Sequence, residues 1–425
     1  MDPPPTDRLA GRIQRTYLIL VLGNTLATSF IWGINTLFLL DAGLTNFEAF
    51  AANAFFTVGI VLFEIPTGVV ADTWGRRASY LIGTLVLAAT TFLYLVLWQT
   101  QAPFWQWAVS SALLGLGFTF FSGALEAWVV DALSFAEHRG SLEAVFGRAQ
   151  VVTGVAMLVG SVAGGIVAQA TSLGVPYLLR VAVLVVMFVV ALVLMKDLGF
   201  SPDRTLTASA AVRQVASTSY RYAARNAPVR SLMAAGAFTS GVGFYAFYAM
   251  QPFLLELYGE QGAYGVAGLA AAVVAGSQIV GGLGASRVRR LVRTRTSAVI
   301  AGTAVAAVLL AAIGLTTSFV PALVLLVAMG VVQAAVMPIR QALLNGLVPS
   351  GQRATLLSAD SMVAGVGGVV VQPPLGRAAD VWGYGASYLI GSAVQLVALP
   401  FLLRARRGAG PADLGTADSP VSGAP

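Results

Sequence analysis

A few ionisable residues interrupt the long apolar stretches of this 425-residue chain, and they are the side chains best suited to chemistry. Glu64 lies eight residues before Asp72, which is about 12 Å along a helix, and Glu126 lies five residues before Asp131, about 7 Å. Charged groups inside a membrane are costly and usually functional. A carboxyl group in a low-dielectric environment also binds a proton more readily. Glu64 and Glu126 are therefore candidates for coupling proton movement to another process.

Each of these carboxyl groups also has a structural interpretation. Glu64 can cap the helix break that a nearby proline causes. Glu126 can form a static pair with a basic residue such as Arg148. Arg340 and Asp360 lie one or two turns from the ends of neighbouring apolar stretches, and this placement predicts a structural ion pair between them. Coupling and structural roles both remain open for Glu64 and Glu126.

The elements that carry these residues are apolar runs of membrane-spanning length. Hydrophobic residues make up 57% of the chain and charged residues 10%, with a mean hydropathy of +0.81; a soluble domain carries roughly a quarter charged residues. A bilayer core needs about 20 helical residues, and backbone groups in lipid must pair internally. The sequence predicts an all-α membrane protein with twelve spans, near residues 16–40, 46–71, 78–99, 104–132, 144–170, 174–195, 229–257, 263–286, 296–317, 319–347, 354–375 and 384–404.

Several function classes are disfavoured by composition. The chain has no cysteine and a single histidine, His138, so it offers neither a thiolate site nor a histidine cluster for a metal. It has no G-x-x-x-x-G-K-[ST] loop for a nucleotide. We expect no enzyme, no metal and no cofactor. The apolar run from Tyr17 to Leu40 is longer than a signal-peptide core of about 7–15 residues, which predicts a retained first span.

The basic residues predict the orientation. If the N-terminus is cytoplasmic, every Lys and Arg except Arg180 and Arg377 lies on the cytoplasmic side, as the positive-inside rule requires. The net charge of +7 therefore needs no nucleic-acid partner. We expect a multi-pass protein of the plasma membrane with both termini inside.

The longest break divides the chain into halves. We expect a cytoplasmic tail at 1–15, a six-helix bundle at 16–195, a central cytoplasmic loop at 196–228, a second bundle at 229–404 and a disordered tail at 405–425. Within the loop, Val212, Val215 and Tyr222 either share one face of a helix on the inner leaflet or belong to a solvated linker.

One sequence segment occurs twice in the chain. GVVADTWGRRASYLIG, residues 68–83, and GRAADVWGYGASYLIG, residues 376–391, are identical at 11 of 16 positions. The first joins spans 2 and 3 and the second joins spans 11 and 12, which predicts nested three-helix repeats of inverted orientation. After span 5, Tyr177 falls at the same offset as Tyr80. The basic pair Arg76–Arg77 is present only in the first copy, so we expect the two copies to face opposite sides.

The run LFEIPTGVVADTWGRR resembles the signature loop of the major facilitator superfamily, a G-x-x-x-D-x-x-G-R-[KR] pattern between helices 2 and 3. The resemblance covers nearly the whole chain. It implies a secondary transporter that works by alternating access around a site near the membrane centre. It also implies a conformational latch, formed by Gly68, Asp72, Gly75, Arg76 and Asp131.

Each latch residue has a predicted task. Gly68 lets helices approach closely, and Gly75 permits a tight turn. Asp72 accepts hydrogen bonds from the start of span 11, near residues 353–355, as in the family. Arg76 pairs with Asp131 at the end of span 4.

The family lines its substrate cavity with helices 1, 4, 7 and 10. The polar and aromatic candidates on these spans are Asn24, Thr28, Trp32, Asn35, Phe118, Phe121, Phe244, Tyr248, Gln251 and Gln333. An aromatic cavity with few charges suits a bulky amphipathic molecule. Aromatic residues at helical spacing are equally typical of packing.

Two further stretches indicate export. GSVAGG, residues 160–165, resembles a helix-5 motif of exporters in this superfamily, although Ser161 replaces its proline. PIRQALLNGLVPSGQRATLLS, residues 338–358, resembles the junction of helices 10 and 11 in bacterial drug:proton antiporters. The helix-4 arginine of many proton-coupled members is absent. We expect a monomer that exchanges lipophilic or amphipathic molecules for protons. The alternatives are a nutrient importer or facilitator, or a non-transporting membrane sensor or lipid-handling protein.

Overall fold

The computed structural model describes residues 5–121, 123–138, 140–202, 209–210, 212–213, 217, 221–222, 225–260 and 262–414. Most of the predicted interfacial segment of the central loop, including Val215, lies outside the described residues. All regular structure in the described part is helical. The helices are α1 Pro5–Trp32, α2 Asn35–Asp41, α3 Asn46–Trp74, α4 Arg76–Thr100, α5 Phe104–Thr119, α6 Ala124–Phe135, α7 Leu142–Ala170, α8 Gly174–Leu194, α9 Ala227–Tyr258, α10 Tyr264–Leu291, α11 Arg295–Leu315, α12 Phe319–Leu347, α13 Arg353–Leu396, α14 Ala398–Gly408 and α15 Pro411–Leu414, with a 3₁₀ turn at Ser350–Gln352.

The prediction of an all-helical membrane protein is confirmed. In the described part of the chain, ten helices are long and apolar enough to cross a membrane, and α1 with α2, bent by 49°, makes an eleventh span. The backbone of α13 leaves helical geometry at Gly383, so this element contains two helices. That break accounts for the difference from the twelve predicted spans.

The chain forms two compact units. The first comprises Met1–Arg213 and Tyr248–Val273, and the second comprises Gln214–Phe247 and Val274–Pro425. These units differ from the predicted bundles at 16–195 and 229–404, because the end of α9 and the first part of α10 pack with the N-terminal helices. Helices α9 and α10 thus contribute to both units.

The repeated sequence segment has the same local structure in each unit. Gly75 has φ = 105° and its counterpart Gly383 has φ = 81°, a backbone region that residues with a Cβ rarely adopt. The tyrosine five residues after each of these glycines is fully buried: Tyr80 and Tyr388 are both 0% exposed. Tyr177, at the equivalent offset after span 5, is 1% exposed. The residues that the two segments share therefore include a turn glycine and a buried tyrosine.

Parts of both predicted tails are helical. Helix α1 begins at Pro5 and buries Ala10 and Ile13, so most of the predicted tail at 1–15 is helical. Within the tail predicted at 405–425, residues 405–408 end α14 and residues 411–414 form α15. The buried carboxylate of Asp413 accepts hydrogen bonds from the backbone N–H (2.6 Å) and hydroxyl (2.7 Å) of Thr296. Because these groups lie in the first turn of α11, Asp413 caps that helix.

Candidate functional site

The turn between α3 and α4 brings the charged latch residues together. Gly75 reverses the chain there, so Asp72 and Arg76 stand on either side of the turn. The Nη1 of Arg76 donates a hydrogen bond to the carboxylate of Asp72. The Nε of Arg76 lies 3.8 Å from Oδ2 of Asp131 on α6. Arg76 is thus positioned between two carboxylates.

The close helix approach predicted at Gly68 does not occur within the first unit. Among the described residues, a Cβ placed on Gly68 would meet no atom within 4 Å, so no helix of the first unit approaches closely there. Close approach occurs at other glycines of the first unit. A Cβ on Gly165 of α7 would lie 3.1 Å from Cα of Gly268 on α10, and a Cβ on Gly33 would lie 2.9 Å from that same atom. Gly165 belongs to the GSVAGG stretch.

Asp197 is a residue of this site that the sequence prediction missed. The backbone N–H of Arg77, in the first turn of α4, donates to Oδ1 of Asp197 at 2.9 Å. The first N–H groups of a helix have no intrahelical partner, so Asp197 caps α4. Burial raises the pKa of the Asp197 carboxyl, against the opposing effects of this hydrogen bond and of the charges on Arg77 and Arg76. Its only signal in the sequence is an acidic residue directly after span 6.

The segment around Asp197 folds against the α3–α4 turn. The ring of Phe200 lies 5.8 Å from the guanidinium carbon of Arg76, a cation–π distance. The indole N–H of Trp128 on α6 donates to the carbonyl of Lys196 at 2.7 Å. A Cβ on Gly199 would lie 2.7 Å from the carbonyl oxygen of Asp131. The start of the predicted central loop is therefore a packed part of the site.

The cavity candidates on α1 form hydrogen bonds within the first unit. The hydroxyl of Tyr80 donates to Oδ1 of Asn24 at 2.8 Å, and the hydroxyl of Thr28 donates to the carbonyl of Asn24 at 3.0 Å. Phe121 packs edge-on against Tyr80 with centroids 5.0 Å apart. Phe118, which is 43% exposed, contacts Phe56 at 5.9 Å. The structure thus brings candidates from predicted spans 1 and 4 to a common tyrosine.

A second cluster of polar side chains lies at the break between α1 and α2. The side chain of Gln251, 1% exposed, donates to the carbonyl of Trp32 at 3.0 Å and accepts from the backbone N–H of Thr36 at 2.8 Å. Asn35 accepts from the hydroxyl of Tyr177 at 3.0 Å. Its own amide donates to Asn53 at 2.9 Å. Three predicted cavity residues therefore meet where the helix is interrupted.

The other cavity candidates lie on α9 and α12. Tyr248 is half-buried in the first unit. Phe244 and Gln333 are exposed in the second unit. The ring of Phe244 lies against Gly368, whose added Cβ would be 2.7 Å from it, and the amide of Gln333 is near Gly243.

The two carboxyl groups considered for proton coupling differ in setting. Glu126 is exposed in the first turn of α6, directly after Gly123, which has φ = 68°. A helix N-terminus favours a negative charge. Glu64 is half-buried on α3, and its carbonyl accepts from the hydroxyl of Thr67 at 3.2 Å. Helix α6 thus holds Glu126 at an interrupted and accessible point of predicted span 4.

Arg340 and Asp360 form a two-pronged ion pair in the second unit. Nη1 and Nη2 of Arg340 each lie 2.7 Å from one carboxylate oxygen of Asp360. Nη2 also donates to the carbonyl of Leu232 at 3.2 Å, which connects α12 and α13 to α9. Side-chain exposure is 20% for Arg340 and 12% for Asp360, so the pair is largely shielded from solvent.

Comparisons with known proteins agree with this architecture. The family model described as Major Facilitator Superfamily matches residues 17–371. No curated protein sequence matches significantly. Among solved structures, the nucleoside transporter NupG has a TM-score of 0.74 at 11% identity, covering 93% of this chain and 99% of its own. A mutant of the peptide transporter POT in complex with sulfate has a TM-score of 0.72 at 12% identity, with coverages of 97% and 100%. A bacterial homologue of the human lysosomal transporter Spinster, inward-facing and unoccupied, has a TM-score of 0.65 at 15% identity, with coverages of 96% and 98%.

Proposed function

Since this chain belongs to the Major Facilitator Superfamily and is a membrane transporter rather than an enzyme, we propose that it exports amphipathic small molecules in exchange for protons. Alternating access around a central site would carry the substrate. Family membership favours transport over the sensor and lipid-handling alternatives.

The observation that carries this proposal is the position of Arg76 between Asp72 and Asp131. In the proposed cycle these contacts hold the α3–α4 turn on the cytoplasmic side while the site is open to the outside. Opposite charges gain strength where solvent is reduced, and the Arg76 side chain is 19% exposed. The contact of Asp72 with residues 353–355 remains a prediction.

The substrate class follows from the candidate cavity residues. Phe118, Phe121 and Tyr248 offer aromatic surface, and Asn24 and Gln333 offer amides. Mostly apolar cavities with a few polar groups suit amphipathic ligands. Nucleoside and peptide transporters have similar folds, so an importer of a polar metabolite is the second candidate.

Glu126 is the stronger of the two coupling candidates. Its side chain is exposed, and the preceding break at Gly123 gives predicted span 4 a place where it can bend. Glu64 remains the second candidate, with capping of the nearby helix break as its structural alternative.

The test is transport in proteoliposomes that carry an imposed pH gradient and an internal pH-sensitive dye. Ethidium, a lipophilic cation, should elicit proton movement, and Glu126→Gln should abolish it. Glu143→Gln, which removes another carboxylate near the start of a helix, is the matched control and should transport normally. Uridine counterflow tests the importer alternative. The export proposal would be rejected if the protein exchanged uridine but ethidium elicited no proton movement.

A further inference from the structure

Arg180 is a buried cation in the apolar part of the first unit. It lies on α8, six residues after Gly174, about 9 Å along the helix. Arginine side chains near a helix end usually extend their charge toward water. Arg180 does not, because only 5% of its surface is exposed. The chain therefore keeps a permanent positive charge where solvation by water is minimal.

The protein supplies little compensation for this charge. The Nε of Arg180 donates to the hydroxyl oxygen of Thr91 on α4 at 3.1 Å. Within the described part of the chain, no carboxylate lies within ion-pair distance of Arg180, and its electrostatic partners are the phenols of Tyr94 and Tyr177. A guanidinium has five N–H donors. The donors on its two terminal nitrogens take part in no hydrogen bond with a described residue.

The neighbouring hydroxyl groups supply further donors. Thr91 accepts from Arg180, and no hydrogen bond among the described residues uses its own proton. Tyr94 and Ser111 share one hydrogen bond of 2.6 Å, in which either hydroxyl can donate, so one proton of this pair is left over. The surroundings are thus rich in donors, while the nearby hydroxyl of Tyr177 is already committed to Asn35.

The two phenols that act electrostatically on Arg180 belong to a buried group of aromatic rings. Phe38 stacks on Tyr177 at 3.9 Å, and Tyr94 is stacked on Tyr177 at 6.3 Å. All three rings are at most 3% exposed. In such a low-dielectric setting, the attraction between opposite charges is much stronger than in water. An anion that reached Arg180 would therefore be bound by charge as well as by hydrogen bonds.

We propose that Arg180, with the Thr91 hydroxyl, forms a buried binding site for a single negatively charged group. That group is either a small inorganic anion or the carboxylate of an aromatic acid. The proposal is independent of the transport activity, because binding can be measured on the purified protein without any gradient. It also explains why a cation with no carboxylate partner among the described residues lies close to aromatic rings.

Thermal unfolding of the purified full-length chain in detergent, followed by tryptophan fluorescence at constant ionic strength, tests this site. Chloride and nitrate replace gluconate in one arm, and 1-naphthoate is compared with the neutral 1-naphthamide in the other. We expect a saturable rise in unfolding temperature with at least one of these anions and no rise with the amide. A response to chloride or nitrate alone identifies an inorganic anion site; a response to naphthoate identifies a carboxylate site.

Substitutions assign the response to Arg180. Arg180→Gln should weaken anion binding by at least about tenfold, the loss expected for a charge-assisted interaction. Arg377→Gln removes an exposed arginine and should leave binding unchanged. If Arg180→Gln does not fold, Arg180→Lys and Thr91→Val, which keep the positive charge, should each weaken binding several-fold. The proposal is overturned if no anion stabilises the wild-type chain, or if these variants respond as the wild type does.

Discussion

The side chain of Gln251 bridges the break in the first predicted span, with its oxygen 2.8 Å from the backbone nitrogen of Thr36 and its nitrogen 3.0 Å from the carbonyl of Trp32. Both backbone groups lie at helix ends and lack intrahelical partners. In an apolar environment such groups must be satisfied from elsewhere. One amide thus closes both ends of the break.

Replacing Gln251 by Leu should destabilise the protein. Two buried backbone groups would lose their partners, at about 1–3 kcal/mol for each. The measurement is the midpoint of denaturant unfolding in detergent. Gln333→Leu, which changes an exposed amide, is the matched control and should cost little. Equal stability of the two variants would contradict this function of Gln251.

Glycine substitutions at the α3–α4 turn should have opposite effects. Gly75→Ala should lose about 1–3 kcal/mol, because φ = 105° is strained for alanine and the new Cβ would overlap Oδ2 of Asp197. Gly68→Ala should keep or raise stability, since its Cβ would meet no atom of the described residues within 4 Å and alanine favours a helix. Thermal unfolding of both variants checks this. A loss in Gly68→Ala would show a close approach that this conformation lacks.

Asp197 should make stability depend on pH. Burial raises its pKa in the folded protein, so the folded state holds this proton more tightly than the unfolded state does. The resulting stabilisation is complete below the unfolded pKa of about 4 and is lost as the pH rises through the higher folded value. The pH profile of the unfolding midpoint measures the effect.

The amide variant isolates this contribution. Asp197→Asn retains an oxygen that can accept from the N–H of Arg77, so at neutral pH it should be at least as stable as the wild type. Its pH profile should be flatter above pH 4. Asp197→Ala should lose about 1 kcal/mol, because the cap on α4 disappears. A less stable Asp197→Asn would show that the carboxylate charge itself stabilises the turn.

Breaking the pair between Arg340 and Asp360 should be costly. Asp360→Leu or Arg340→Leu leaves one buried charge without its partner, and such changes cost about 3–5 kcal/mol. The double variant should cost less than either single one, because no buried charge remains. Chemical denaturation of the three variants gives the coupling energy. Additive losses would mean that the two residues stabilise the protein separately.

Substitutions in the two copies of the repeated segment should affect the rate of transport differently. Asp72→Asn removes the charged partner of Arg76 and should slow substrate exchange in proteoliposomes several-fold. Asp380→Asn is the matched change in the second copy, where Tyr384 replaces the arginine, and it should be tolerated better. Equal losses in the two variants would assign both aspartates the same function.

The amino-acid sequence determined the class of protein, the number of spans and the repeated turn. These follow from local properties: apolar runs long enough for a bilayer, basic residues between them, and a motif that needs glycine at one position. The proximity of Arg76 to Asp131 was expected from the family resemblance, whereas the contact of Arg76 with Asp72, four residues earlier and across the turn at Gly75, was not. The tyrosine that is buried in each copy occurs at the same position of the repeated segment in the sequence.

Only the tertiary structure decided which distant groups meet. Nothing local indicates that Gln251 satisfies backbone groups more than 200 residues away, or that Asp197 caps α4. Arg180 could be recognised from the sequence as a charge within an apolar run. Its lack of a carboxylate partner among the described residues became visible only when the neighbouring helices were in place. Burial and pairing depend on packing between helices, and a pattern along one helix does not contain them.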